Sequence, residues 1–287
     1  MAWWEVVVKV YLPLLKDNIY INNPFKLYSP MKPFLFILSL ALCCVACTAN
    51  EQDDAISKIE SEQNNQVSEP NNETVKLSTV TRIDTLGLKV LYPNFSKVDL
   101  VCGTMPSKDD DSVLLVMAAA YTGQCLKEFK HSNIAGNHVS GGVLYDGYRC
   151  TRNTGAFVYY NNEWKFCYKN YASELRNAAN NGGAAFAQEM IIYNDTIRET
   201  AREDRNCNFF RALCEHNGKL CVIETAKSIS FGDFKKILKN YGVKHAIYTD
   251  MGKGWNYAWY RSETGVVELQ SRTKNSEYCT NWITFYR

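Results

Sequence analysis

The chain has no apolar run of bilayer length. Its clearest apolar stretch, residues 34–46, falls short of the roughly 20 residues that a membrane-spanning helix takes. Histidine is scarce: the four residues His131, His138, His216 and His245 have no zinc-ligand spacing. No Ser-His-Asp order, phosphate-binding loop, dinucleotide fingerprint or internal repeat is present. The eight cysteines from Cys102 onward lack close Cys-x-x-Cys spacing, which leaves no zinc or redox motif. No cofactor and no metal is therefore expected. Neither sign of charge dominates, since 28 basic and 28 acidic residues follow Ala46. Residues 47–75 hold a net −6 and the remainder a net +6. That is a mild bias toward anionic ligands and far from a nucleic-acid footprint. Large apolar side chains are nearly missing from residues 48–75, which carry seven acids and one lysine. Such a stretch cannot bury enough surface to offset its ordering entropy, and it reads as a flexible tether.

What is present begins at Met31-Lys32-Pro33, a short basic start followed by the apolar run and then Cys47. This has the layout of an export signal over residues 31–46. Val45-Ala46-Cys47 resembles the lipobox of bacterial lipoproteins, with Cys44 departing from the usual Leu. The resemblance implies cleavage before Cys47, lipid on its thiol, and an exported protein anchored to the cell envelope. An ordinary secretory signal with a chance cysteine is the plainer alternative. Residues 1–30 fit poorly before such a signal and read as an upstream extension from a mis-assigned start, or else as a transmembrane or pro-segment.

Residues 76–287 are enough for one domain with a full core. Export permits disulfides, so some of Cys102, Cys125, Cys150, Cys167, Cys207, Cys214, Cys221 and Cys279 are expected to be bridged. Cys214 and Cys221 read equally as buried small hydrophobes. Residues 113–121 suit a buried strand. Strands are predicted at 155–160 and 164–168 around Asn161-Asn162, and at 186–193 and 196–199 around Asn194-Asp195. A further pair, 209–215 and 219–224, flanks Asn217-Gly218, the strongest two-residue hairpin signal. Helices are predicted at 173–179, capped by Ser173, and at 231–241, capped by Ser230 and closed by Gly242. In the second helix Phe231, Phe234, Ile237, Leu238 and Tyr241 share one face. A strand is predicted at 245–249. The fold class is α+β, a mainly antiparallel sheet built from hairpins with a few helices packed on it.

The order from Phe210-Arg211-Ala212-Leu213 through the helix to Tyr241-Gly242-Val243-Lys244-His245-Ala246-Ile247-Tyr248-Thr249-Asp250-Met251-Gly252 resembles the phosphodiester glycosidase family. In that family an Arg opens the hairpin and a strand ends in an Asp-Gly-Gly-Gly-Ser turn. Here the turn reads Asp250-Met251-Gly252-Lys253-Gly254-Trp255, with Asp250 and Gly252 in step. Ala120-Tyr121-Thr122 stands where the family has Asn-Gly-Gly. The resemblance implies a hydrolase acting on a sugar-1-phosphodiester or related glycan. A non-catalytic glycan-binding lipoprotein on the same fold is the alternative.

Asp250, at a strand end before a glycine-containing loop, is the candidate acid, base or nucleophile. Its plain reading is a turn residue binding loop amides. Glu189 would be a second carboxylate in the same cleft if residues 187, 189 and 191 share a strand face. Arg211, in an apolar strand, needs a carboxylate or an anionic ligand, and its planar fork suits a phosphate diester. A salt bridge to Asp250 or Glu189 is its structural alternative. Gly252, Thr122, Trp255 and Asn256 are the expected substrate-binding residues. His131 and His138 read as surface or turn residues.

Overall fold

The computed structural model describes residues 78–200 and 207–287. The expectations for residues 1–30, 31–46 and 47–75, Cys47 included, lie outside the described residues. Three antiparallel sheets dominate. The largest holds β1 (Val80–Thr85), β2 (Leu88–Pro93), β13 (Lys219–Thr225), β12 (Arg211–His216), β14 (Val243–Tyr248), β10 (Met190–Tyr193) and β11 (Thr196–Ile197), in that order. A second runs β16 (Gly265–Leu269), β15 (Ala258–Ser262), β4 (Val113–Ala118), β17 (Asn281–Tyr286), β3 (Lys97–Cys102). A third runs β6 (Val143–Tyr145), β5 (His138–Ser140), β9 (Ala184–Gln188), β7 (Gly155–Tyr160), β8 (Glu163–Tyr168). Among the described residues there are two α-helices, α1 (Ala172–Asn180) and α2 (Phe231–Asn240). The architecture is thus closer to mainly β than to the expected α+β balance.

The sheets share one core. Leu100, Leu115, Met117, Phe157, Phe186, Leu213, Val222, Ile247 and Ile283 come from all three and pack together. Strand alternation then sends the intervening residues outward to separate coverings. On the largest sheet Ala212, Cys214, Ile223 and Tyr248 meet Phe231, Phe234 and Leu238 of α2. On the third sheet Ala156, Val158 and Ala185 meet Leu175 and Ala178 of α1. With both faces buried, these strands read as continuous apolar runs rather than polar–apolar alternation.

The turns follow from backbone chemistry. Asn161-Asn162, Asn194-Asp195 and Asn217-Gly218 each have both φ values positive, as a two-residue type I′ hairpin requires. The Ser230 side chain accepts the Asp233 amide at the start of α2. Gly242, at φ +87°, takes the left-handed position just past its end.

Several expectations are corrected. The cap of α1 is Tyr171, without a side-chain bond, and Ser173 lies inside the helix. The run 186–193 is two strands in different sheets, broken at Glu189. All eight domain cysteines are free thiols, and Cys214 and Cys221 are buried opposite each other in the β12–β13 hairpin. His138 lies in β5 and is fully buried rather than on the surface.

Candidate active site

β4 and β14 belong to different sheets, and the segments leaving their ends meet. The Asp250 amide donates to the Ala119 carbonyl at 3.0 Å, and the Thr249 amide and hydroxyl each donate to the Arg211 carbonyl at 3.2 Å. At this junction one Asp250 carboxylate oxygen accepts the Thr122 amide at 3.1 Å, and the other accepts the Gly252 amide at 3.0 Å. Charge-assisted bonds of this kind are the strong ones, so they hold both loops as well as the carboxylate. The residue is only 7% exposed.

Asp250 faces a cleft of about 430 Å³ bounded by Tyr121, Thr122, Gly252 and Trp255 on one side and by residues 148–152 on the other. The second wall is pinned from behind. The Tyr148 amide donates to Ile134 at 2.9 Å and the Gly136 amide donates to Tyr148 at 2.8 Å. Gly147 has no room for a side chain, since a Cβ would lie 2.1 Å from the Gly136 carbonyl oxygen. Burial, aided by the nearby Cys150 and Asp250, pushes the Tyr148 phenol up to about 12. It is therefore a neutral hydroxyl beside the carboxylate. Arg149 and Arg152 stand exposed on this wall. A larger cavity of about 660 Å³ lies behind it, near α1, but none of the predicted site residues lines it.

Four predicted residues, Asp250, Gly252, Thr122 and Trp255, line the same cleft. Asn256 is next to it, with its carbonyl accepting Arg211 at 2.8 Å. Glu189 and Arg211 do not line the cleft and are fully buried. Glu189 sits behind Tyr121, whose hydroxyl donates to it at 3.4 Å while the next residue holds Asp250. The ion pair expected for Arg211 forms with neither Asp250 nor Glu189 but with Glu224, directly opposite on β13. Glu224 also accepts Gln270 at 2.9 Å and Lys89 at 3.3 Å. Burial alone would raise the Glu224 carboxyl, but Arg211, Gln270 and Lys89 outweigh it and hold the group below the usual carboxylate range.

The sequence reading missed Tyr148, Arg149 and Arg152, which carry no periodicity and precede no recognisable turn. The Tyr-Arg-Cys-Thr-Arg grouping of aromatic and basic residues was the one available signal. Trp255 places its indole nitrogen in a buried position with no acceptor among the described residues.

No protein-family model matches the chain, and no curated protein matches it. Among solved structures, the chain has a distant, fold-level likeness to the catalytic domain of zebrafish N-acetylglucosamine-1-phosphodiester alpha-N-acetylglucosaminidase, auto-inhibited by its pro-peptide. The two are 13% identical, the match covers 72% of this chain and 81% of that one, and the TM-score is 0.47.

Proposed function

We propose that the protein is an exported hydrolase that cleaves the glycosidic bond of a sugar-1-phosphodiester or related envelope glycan, with lipid on Cys47 holding it at the membrane. The observation that carries this reading is the Asp250 carboxylate, fixed by two backbone amides on the floor of a cleft with cationic and aromatic walls. A glycosyl phosphodiester has an anionic and an apolar part. Arg149 and Arg152 meet the phosphate, while Tyr121 and Trp255 offer aromatic faces to the sugar ring. Asp250 lies where a carboxylate stabilises an oxocarbenium-like centre or attacks it. The Tyr148 hydroxyl is a hydrogen-bond donor for the departing oxygen. The exposed arginines take the phosphate contact in preference to Arg211, which is buried against Glu224. Glu189 acts through Tyr121 as a positioning residue rather than on the reacting atoms.

A second reading, a glycan-binding protein without hydrolysis, is favoured by one feature. Each Asp250 oxygen already accepts a backbone amide, and the nearest candidate second carboxylate, Glu189, is fully buried. Sugar release from a panel of glycosyl phosphodiesters separates the two. Release by the wild type that is lost in a folded Asp250→Asn variant supports hydrolysis. Saturable glycan binding without release assigns the cleft to recognition alone. Cys47→Ser should move the protein from the membrane fraction to the soluble one.

A further inference from the structure

Cys102 meets two histidines seven residues apart, His131 and His138, in a cluster that does not line the Asp250 cleft. Cys102 ends β3, His131 begins a short 3-10 helix (His131–Asn133), and His138 begins β5. One ligand atom from each lies within 4.8 Å of the other two. The His131 Nδ1 and His138 Nε2 atoms are 3.0 Å apart. We propose that Cys102, His131 and His138 form a metal site for a zinc-class divalent ion, with the fourth position left to solvent.

The geometry is built for ligation in three respects. First, His138 is fully buried and its Nδ1 donates to the Gly136 carbonyl at 3.2 Å. That bond fixes the tautomer and leaves the Nε2 lone pair aimed at His131, as a carbonyl partner does for zinc-bound histidines. Second, the His131 ring is held in place. Tyr145 stacks on it with centroids 3.4 Å apart and Phe129 meets it edge-on at 4.8 Å. Third, the donor set is right: two imidazoles and one thiol suit a zinc-class ion, and three protein ligands leave an open position. With bonds of about 2.0–2.3 Å, tetrahedral donors sit roughly 3.3–3.6 Å apart. The two nitrogens are already near that distance. The sulfur has about an ångström to close, and Cys102 and His131 are only partly buried, which leaves them room to turn.

Binding balances simply. The Cys102 thiol loses its proton to solvent, and His131 carries its N–H on Nε2 so that Nδ1 ligates. The sequence could not show this, because the ligands come from two sheets and a 3-10 helix and no pair has motif spacing.

Cobalt(II) titration of the reduced full chain tests the site, since cobalt substitutes for zinc and reports its ligands by colour. The expected result is one equivalent bound, with intense tetrahedral d–d bands and a thiolate-to-cobalt charge-transfer band. Zinc should displace it. Cys102→Ser should abolish the charge-transfer band. His131→Asn, at a partly exposed position that a folded variant tolerates, should weaken binding by at least the roughly 10- to 100-fold that even an outer partner contributes. Cys125→Ser, at an exposed cysteine outside the cluster, should change nothing. Far-UV circular dichroism establishes that each variant is folded. A folded wild type that retains neither metal overturns the proposal and leaves a plain histidine–histidine hydrogen bond. So does binding that survives both Cys102→Ser and His131→Asn.

Discussion

Glu224→Gln isolates the charge of a buried ion pair, because glutamine keeps the shape of the side chain. In the native protein Arg211 and Glu224 are both fully buried and face each other across the β12–β13 hairpin. Removing the negative charge leaves a buried guanidinium facing only neutral acceptors, the Gln amide oxygen and the Asn256 carbonyl. Breaking a buried pair from one side costs about 3–5 kcal/mol, most of it the uncompensated charge. For a domain of this size each kcal/mol moves the melting temperature by roughly 2–4 °C. The variant should therefore melt about 6–20 °C lower, measured by calorimetry near neutral pH. Replacing both partners by apolar residues, Arg211→Met with Glu224→Leu, should recover most of the loss, because no fully buried charge is then stranded and the part-exposed Lys89 keeps contact with solvent. Acid titration supplies a second readout. The folded-state carboxyl is lowered. Its contribution is thus present above the unfolded value of about 4.3 and lost as pH falls through the lower folded value. The wild type and Glu224→Gln should draw together as pH falls below the unfolded carboxyl value and converge once it passes the lower folded one. A shift under about 2 °C at neutral pH, or parallel acid profiles, would refute the reasoning.

Ser230→Ala removes the side-chain acceptor for the Asp233 amide at the start of α2 and should cost about 1 kcal/mol, read from denaturant midpoints. Gly147→Ala would force a Cβ to within 2.2 Å of both the Gly136 and Ile134 carbonyl oxygens, so the 148–152 wall must move. Its stability should fall by at least the about 1–3 kcal/mol of ordinary overpacking, and ligand affinity at the Asp250 cleft should fall with it. Arg152→Gln should raise KM for a phosphodiester substrate by about 10- to 100-fold, the value of one charged hydrogen bond, with the melting temperature unchanged.

The hairpins and α2 were legible because their signals are local. Asn217-Gly218 fixes its own register, and that register already implied the Arg211 partner. Arg211 lies six residues before Asn217 and Glu224 six after Gly218, so the two had to face each other. The break at Glu189 was not legible, because strand periodicity carries no mark of a change of sheet. Residues 184–188 pair with β7, while Met190 pairs with Ile247 of β14. Between them the Gln188 side chain caps the Glu189 amide at 3.0 Å, and the Glu189 carbonyl accepts the Tyr248 amide at 2.9 Å. The condition that residues 187, 189 and 191 share one strand face is therefore not met. The Arg149–Arg152 wall and the Cys102–His131–His138 cluster depend on contacts between distant segments, which no window of sequence contains.

Asp250 is the residue the sequence marks most clearly, yet it is the poorer probe of chemistry. Its carboxylate ties the loop after β4 to the loop after β14, so any substitution that weakens those amide bonds also loosens Thr122 and Gly252. Lost activity in Asp250→Asn comes from lost chemistry or from a displaced wall alike. Arg149 and Arg152 are exposed, so their replacement leaves both loops tied. A loss confined to anionic substrates, with neutral glycosides handled as before, has only an electrostatic origin. Equal losses on both substrate classes would instead mean that the arginines shape the wall without reading phosphate. The rim variants thus decide whether the cleft recognises a phosphodiester, and sugar release by the wild type then shows whether a bound one is hydrolysed.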